Sequence, residues 1–169
     1  MPERGLMDRL LPCLLDRLTD DEPQNAQESR DRRVISLRRY RQSVLQDLEW
    51  LMNTRGHGVW ELLEEFPYAR RSVLNFGLPD FEGMTVSVSG VRAIEQALLR
   101  AIQAFEPRIN PGTLRVKAVQ AAQEAYASTA IVVEIQGVLW AQPVPEQLFV
   151  RTEIDLETGQ CRIKDRGNG

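Results

Sequence analysis

The stretch from Ser89 to Asn110, SGVRAIEQALLRAIQAFEPRIN, limits what this chain can fold into more than any other. Val91, Ile94, Leu98, Ile102 and Phe105 recur at three- and four-residue steps, so a helix here carries one apolar stripe and has a core to face. Arg92, Glu95, Gln96, Arg100 and Gln103 fall largely outside that stripe. Pro107 cannot continue the helix and drives Glu106 out of the helical region. Extended backbone has a period of two, so an open turn projects Glu106 and Arg108 to one side, where opposite charges pair or jointly grip a partner. Residues before Ser89 read as helix and loop, and those after Asn110 read as sheet. The Glu106-Pro107-Arg108 step is the predicted corner of the fold.

Beyond the corner the apolar period changes to two. Leu114, Val116 and Ala118 alternate with Arg115 and Lys117, then Ile131, Val133 and Ile135 with Val132, Glu134 and Gln136. Leu148, Val150, Thr152 and Ile154 repeat the pattern, and Glu157-Thr158-Gly159 turns the chain into a last strand from Cys161 to Lys164. Short consecutive connections favour an antiparallel meander whose apolar face the helices must cover. The expected fold is a two-layer α+β domain: an antiparallel meander of about four strands under amphipathic helices, with an N-terminal helix on a linker.

Earlier in the chain, Ser36 can cap a helix ending near Asn53, with Leu37, Tyr40, Val44, Leu48 and Leu51 on one stripe and Leu45 and Met52 widening it. Trp60, Leu62, Leu63 and Phe66 suggest a further turn that Pro67 ends. The segment RRSVLNFGLPDF, Arg70 to Phe81, is too apolar for an open loop and is expected against the sheet or at an interface. Leu6, Leu10, Leu14 and Leu18 are spaced by four in a short amphipathic segment, and Thr19 to Ser29 is acidic, polar and interrupted by Pro23. A helix this short needs a surface to dock on, its own domain or a partner's, and Leu10, Leu14 and Leu18 are the docking candidates. These boundaries divide the chain into an N-terminal helix and linker, 1–29, one α+β domain, 30–165, and a frayed tail, 166–169.

With 21 basic and 24 acidic residues among 169, the net charge of −3 provides no global field to recruit nucleic acid or an anionic membrane. The one basic cluster, Arg30, Arg32, Arg33, Arg38, Arg39 and Arg41, has only Tyr40 as an interleaved aromatic. It reads as a solvated face, as a partner of the acids Asp20 to Glu22, or as a docking face for an acidic protein surface. The first apolar stretch, Leu10 to Leu18, contains Pro12, Asp16 and Arg17, so no membrane insertion is expected of it. Cys13 and Cys161 have no metal-ligand spacing and favour a reducing, cytoplasmic compartment. His57 lies between two glycines with no nucleophile motif beside it, and no phosphate or dinucleotide loop is present. Glycoside hydrolysis needs two suitably separated carboxylates, but nothing selects a pair from Glu61, Glu64, Glu65, Asp80 and Glu82. No catalytic residue, cofactor or metal is expected.

Four pieces of the chain resemble one known family: LLDRLTDDEP from Leu14 to Pro23, LMNTR from Leu51 to Arg55, RRSVLNFGLPDF from Arg70 to Phe81, and EPRI from Glu106 to Ile109. The chain resembles the small baseplate wedge subunits of bacterial type VI secretion systems, the TssE family, and through them the wedge protein of contractile-tail phages. The resemblance implies a structural protein rather than an enzyme, although the family has carried a "lysozyme-like" label. It implies that the subunit joins two larger wedge proteins, of TssF and TssG type, with other baseplate components, and that it starts the sheath. On this resemblance Glu106, Pro107 and Arg108 bind the wedge core bundle. Residues Leu148 to Asp155 and Ile131 to Trp140, with Phe149, Arg151 and Glu153 among them, are candidates for sheath contact. It also implies that Arg108→Ala abolishes sheath assembly with the fold intact. The alternative is a lysozyme-like peptidoglycan hydrolase. Where the E-P-R step has no partner, it only stops the helix, with Arg108 near its negative end.

Overall fold

A computed structural model describes residues 13, 14, 18, 24, 36–56, 63, 65–82, 84, 87–119, 130–141 and 145–165. Helix α1, Leu37–Asn53, starts where the Ser36 hydroxyl accepts from the Arg39 amide at 3.2 Å, relieving one of the donors left unpaired at a helix start. It buries Tyr40, Ser43, Val44, Leu48, Leu51 and Met52. Leu37, expected on this stripe, is 39% exposed, because the packed face begins only at Tyr40.

Pro67 follows the expected turn, in which the Phe66 amide donates to the Leu63 carbonyl at 3.0 Å, and also opens the four-residue helix α2, Pro67–Arg70. A first-turn amide has no intrahelical acceptor to lose, so proline fits there. Trp60, Leu62 and the loop histidine lie outside the described residues. Of the apolar stretch that follows, Leu78 and Phe81 are buried and Phe76 packs edge-on to Phe105 with ring centroids 5.3 Å apart. Val73 and Leu74 stay 82% and 79% exposed, so of the two places expected for this stretch they do not take the one against the sheet. They lie in a 3-10 turn, Val73–Asn75, whose buried member is Asn75, held by a 3.1 Å bond from its Nδ2 to the Arg70 carbonyl. With three residues per turn, seating Asn75 inward leaves its two predecessors facing out.

Gly77 then brings the chain against the end of α1, with Leu78 donating to the Thr54 carbonyl at 2.9 Å and Gly56 to the Leu78 carbonyl at 2.8 Å. Its φ of +120° belongs to glycine, and a Cβ there would meet the Thr54 carbonyl oxygen at 2.3 Å.

Helix α3, Val88–Phe105, is capped by the Ser87 hydroxyl, which accepts from the Gly90 amide at 3.1 Å, and it buries Ile94, Ala97, Leu98, Ala101 and Ile102. Four strands follow: β1, Arg115–Val119; β2, Ala130–Leu139; β3, Glu146–Asp155; and β4, Cys161–Asp165. They pair in the order β1-β2-β3-β4, antiparallel throughout. The alternation read from the sequence fixes the facing: Ile131, Val133, Ile135, Leu148, Val150, Thr152 and Ile154 point into one core with α1 and α3. Each fully buried aliphatic side chain in that core contributes about 1.5–3 kcal/mol. The expected two-layer α+β arrangement is present. Among the described residues no helix is long and apolar enough to cross a membrane.

Candidate functional site

The corner forms because α3 runs out of helix at Phe105 and Glu106 leaves it with φ −119°, ψ 79°, its amide still donating to the Ile102 carbonyl at 2.9 Å. Two residues on, Arg108 folds back along the same side. Glu106 Oε1 accepts from the Arg108 amide at 3.0 Å and from Arg108 Nε at 2.7 Å, while Oε2 accepts from the guanidinium at 2.5 Å. The same guanidinium donates to Asp47 Oδ2 and, at 3.1 Å, to the Ser43 hydroxyl of α1. The chain then joins the sheet, with Trp140 donating to the Arg108 carbonyl at 2.8 Å and Asn110 to the Val138 carbonyl at 2.9 Å. A single arginine therefore ties the end of α3, the middle of α1 and the end of β2 together.

Of the two outcomes open from the sequence, pairing or gripping a partner, the charges pair. Glu106 is only 4% exposed, so its carboxylate is committed inside the domain; Pro107 is exposed, and the side chains of Arg108 and Asp47 are 18% and 29% exposed. Burial disfavours a charged Arg108, yet the hydrogen bonds and charges of Glu106 and then Asp47 outweigh it and raise the guanidinium pKa. It stays charged at any working pH. Two carboxylates share this one cation, so the corner carries a net negative charge, and Asp47 is its more accessible acid. Tyr40 completes the site, its hydroxyl donating to the Trp140 carbonyl at 2.9 Å. Its pKa is raised by burial, against the nearby Arg108 and with Glu106.

Sequence reasoning missed Ser43 and Asp47. The signal was there: they stand four apart and interrupt the face around Val44 and Leu48, where a polar pair at helical spacing points toward something inside. Leu14 and Leu18 are largely exposed, so neither docks its side chain on the described domain, and Leu10 lies outside the described residues. Within the basic cluster, Arg41 donates to the Gln147 carbonyl at 2.8 Å and lies 3.5 Å from Glu146, while the acids Asp20 to Glu22 lie outside the described residues. Arg30, Arg32 and Arg33 lie outside the described residues.

Phe149, Arg151 and Glu153 sit on the half-exposed outer face of β3, opposite the helices. Both β2 and β3 are interior strands, paired on both sides, so these candidates offer side chains and not a free backbone edge. Of the acids weighed for hydrolysis, Asp80 and Glu82 bind one guanidinium, that of Arg55, at 3.2 and 3.1 Å instead of facing each other across a cleft. Glu65 is exposed, and Glu61 and Glu64 lie outside the described residues. A small cavity of about 180 Å³ lies beside Arg55, between the end of α1, Leu78 to Phe81 and the β3–β4 turn. Among the described residues no cluster of three His, Cys, Asp or Glu side chains could hold a metal ion.

The family model described as baseplate wedge protein gp25 matches residues 38–144, which take in α1 from its second residue, α3, the corner, β1 and β2. No curated protein and no solved structure matches the chain.

Proposed function

The chain belongs to the family of baseplate wedge protein gp25, and from that premise we propose that it is the wedge subunit of a type VI secretion baseplate, linking the wedge core bundle to the contractile sheath and templating sheath polymerisation. As a member of that family it is a structural component of a baseplate that associates with other baseplate components. The observation that carries the finer reading is the corner: an exposed proline and an accessible acid, Asp47, are held rigidly over a buried Glu106–Arg108 pair. Such a site presents a fixed shape and a negative charge to a helical bundle without spending binding energy on ordering itself. In this reading Glu106 and Arg108 act mainly by holding Pro107 and Asp47 in place, and the partners are the two large wedge proteins of TssF and TssG type. Leu14 and Leu18, exposed as they are, give the N-terminal segment an apolar row for a second contact. Phe149, Arg151 and Glu153 are proposed to touch sheath subunits. The setting is a cytoplasmic baseplate at the inner membrane.

Co-purification with the two large wedge proteins tests the reading. Pro107→Lys leaves the latch beneath it intact, removes the ring and offsets the corner's negative charge, so capture is expected to fall while the melting temperature stays near wild type. Wild-type capture by that variant removes the corner from the wedge contact. If the wild-type chain captures neither wedge protein, the proposed role fails. A cell-wall digestion assay is expected to show no turnover above buffer.

A further inference from the structure

Among the described residues both tryptophans, Trp50 and Trp140, are exposed, at 48% and 66%. A single exposed apolar side chain is ordinary on a protein surface. These two, however, flank one acid. On α1, Ser43, Asp47 and Trp50 follow one another by four and three residues and so share a flank of the helix. Arg108 reaches that flank at Ser43 and Asp47. Trp140 stands toward its other end: the Trp140 amide donates to the Arg108 carbonyl at 2.8 Å, and its carbonyl accepts from the hydroxyl of Tyr40, one turn before Ser43, at 2.9 Å.

The three residues therefore form a strip along α1, with an indole at each end and a carboxylate between. At 1.5 Å per residue, Tyr40 and Trp50 stand about 15 Å apart along the helix axis. Both backbone groups of Trp140 are tied down, and Trp50 grows from the regular part of α1, so the strip is ordered before anything binds to it. Neither indole's exposed surface serves the core. Tryptophan is the residue type most enriched where truncation costs an interface most, and each ring offers 150–250 Å² to bury, on the order seen for buried aromatics.

We propose that Trp50 and Trp140 are the anchors of a docking strip for a partner helix that carries a basic residue between two apolar ones. The charge follows from the latch: Glu106 and Asp47 share the one cation of Arg108, so an incoming lysine or arginine meets excess negative charge and an incoming acid is repelled. The spacing follows from the strip, because a helix laid along α1 places apolar residues on both indoles when they stand about ten positions apart. A second copy of this chain does not fit. A two-fold contact through this flank sets the same patch against itself and brings Asp47 against Asp47. Only the identity of the donor, a helix of the wedge core bundle, rests on the function proposed above.

The test uses the full chain and scores capture of the two large wedge proteins by Trp50→Ala, Trp140→Ala, Asp47→Asn and Leu74→Ala. Leu74 is 79% exposed on the 3-10 turn, away from the strip, and serves as the control. Each tryptophan variant is expected to weaken capture about thirtyfold or more, and Leu74→Ala to leave it unchanged. Asp47→Asn is expected to weaken capture and to make what remains less sensitive to salt. Hydroxyl-radical footprinting of the unmutated chain needs no variant to fold: oxidation of both Trp50 and Trp140 is expected in the free protein and to be suppressed in the complex. Full capture by both folded tryptophan variants, or unchanged oxidation of both indoles in the complex, overturns the strip. A loss confined to Leu74→Ala moves the contact to the 3-10 turn and overturns it as well. Wild-type capture that salt leaves unchanged overturns the basic occupant. A wild-type chain that captures neither wedge protein overturns the function proposed above and, with it, the donor named here, whereas capture that ignores both indoles overturns the strip alone.

Discussion

Replacing Arg108 by alanine leaves Glu106, 4% exposed, as a buried carboxylate without its cation, and leaves Asp47 and the Ser43 hydroxyl without their donor. Removing one partner of a buried pair costs about 3–5 kcal/mol. Asp47 retains 29% of its side-chain surface, so water relieves part of that penalty, and the lower end, about 3 kcal/mol, is expected. In a chain of 169 residues each kcal/mol shifts the melting temperature by about 2–4 °C, which gives a fall of about 6–12 °C. Arg108→Lys keeps the charge but loses the two-pronged contact with Glu106, so about half that loss is expected. A double-mutant cycle with Glu106→Gln, read by urea denaturation, isolates the pair: with the buried charge gone, Arg108→Ala should be milder by about 2 kcal/mol. If Arg108→Ala melts within about 1 °C of wild type, or if the cycle closes with no coupling, the latch does not hold the corner and the magnitudes above are wrong. The same reasoning predicts a loss of stability for Arg108→Ala, where the family resemblance implied an intact fold. Pro107 is the cleaner probe because its ring takes no part in the latch.

Gly77→Ala puts a Cβ 2.3 Å from the Thr54 carbonyl at a φ of +120°; a loss of about 3 kcal/mol or more is expected by denaturant titration, against a small effect for Gly112→Ala, which has room. Burial pushes the Cys161 thiol up to about 12, so native protein at pH 8 should leave this residue unalkylated by iodoacetamide and denatured protein should modify it fully, as peptide mass spectrometry would show. The amides of Glu157 and Thr158, both donating to Asp155 Oδ1, hold that carboxyl below the usual aspartate range. A depressed folded-state pKa stabilises above the unfolded value and is lost as pH falls through the folded one. Asp155→Asn should therefore lower stability near neutrality and flatten its decline in acid, measured by thermal melts across pH.

Several features of this fold were legible because they depend on local periodicity. The caps at Ser36 and the halt at Pro107, the four alternating strands and the meander order follow from side-chain spacing and short connections, which act within a few residues. The helix that Pro67 opens and the outward facing of Val73 and Leu74 were not legible, since an apolar or helix-breaking residue reports that backbone is constrained without saying which way it turns. The site was half legible. Glu106 and Arg108 stood out as a charged pair around a proline, but the sequence left open whether they meet each other or a partner. That choice depends on Ser43 and Asp47, 65 and 61 positions from Arg108.

The sequence by itself thus determined the elements, the facing of each strand and the place of the corner, because these follow from covalent geometry and from periods of 3.6 and 2. Only the tertiary structure decided what each exposed polar group is free to do. It enclosed Glu106, turned Arg108 into a latch, made β2 and β3 interior strands, and set the Asn53 carboxamide on the Cys161 backbone 108 residues away. Hydrogen bonds and ion pairs act over a few ångströms in space, so distant residues meet only once helix and sheet have packed.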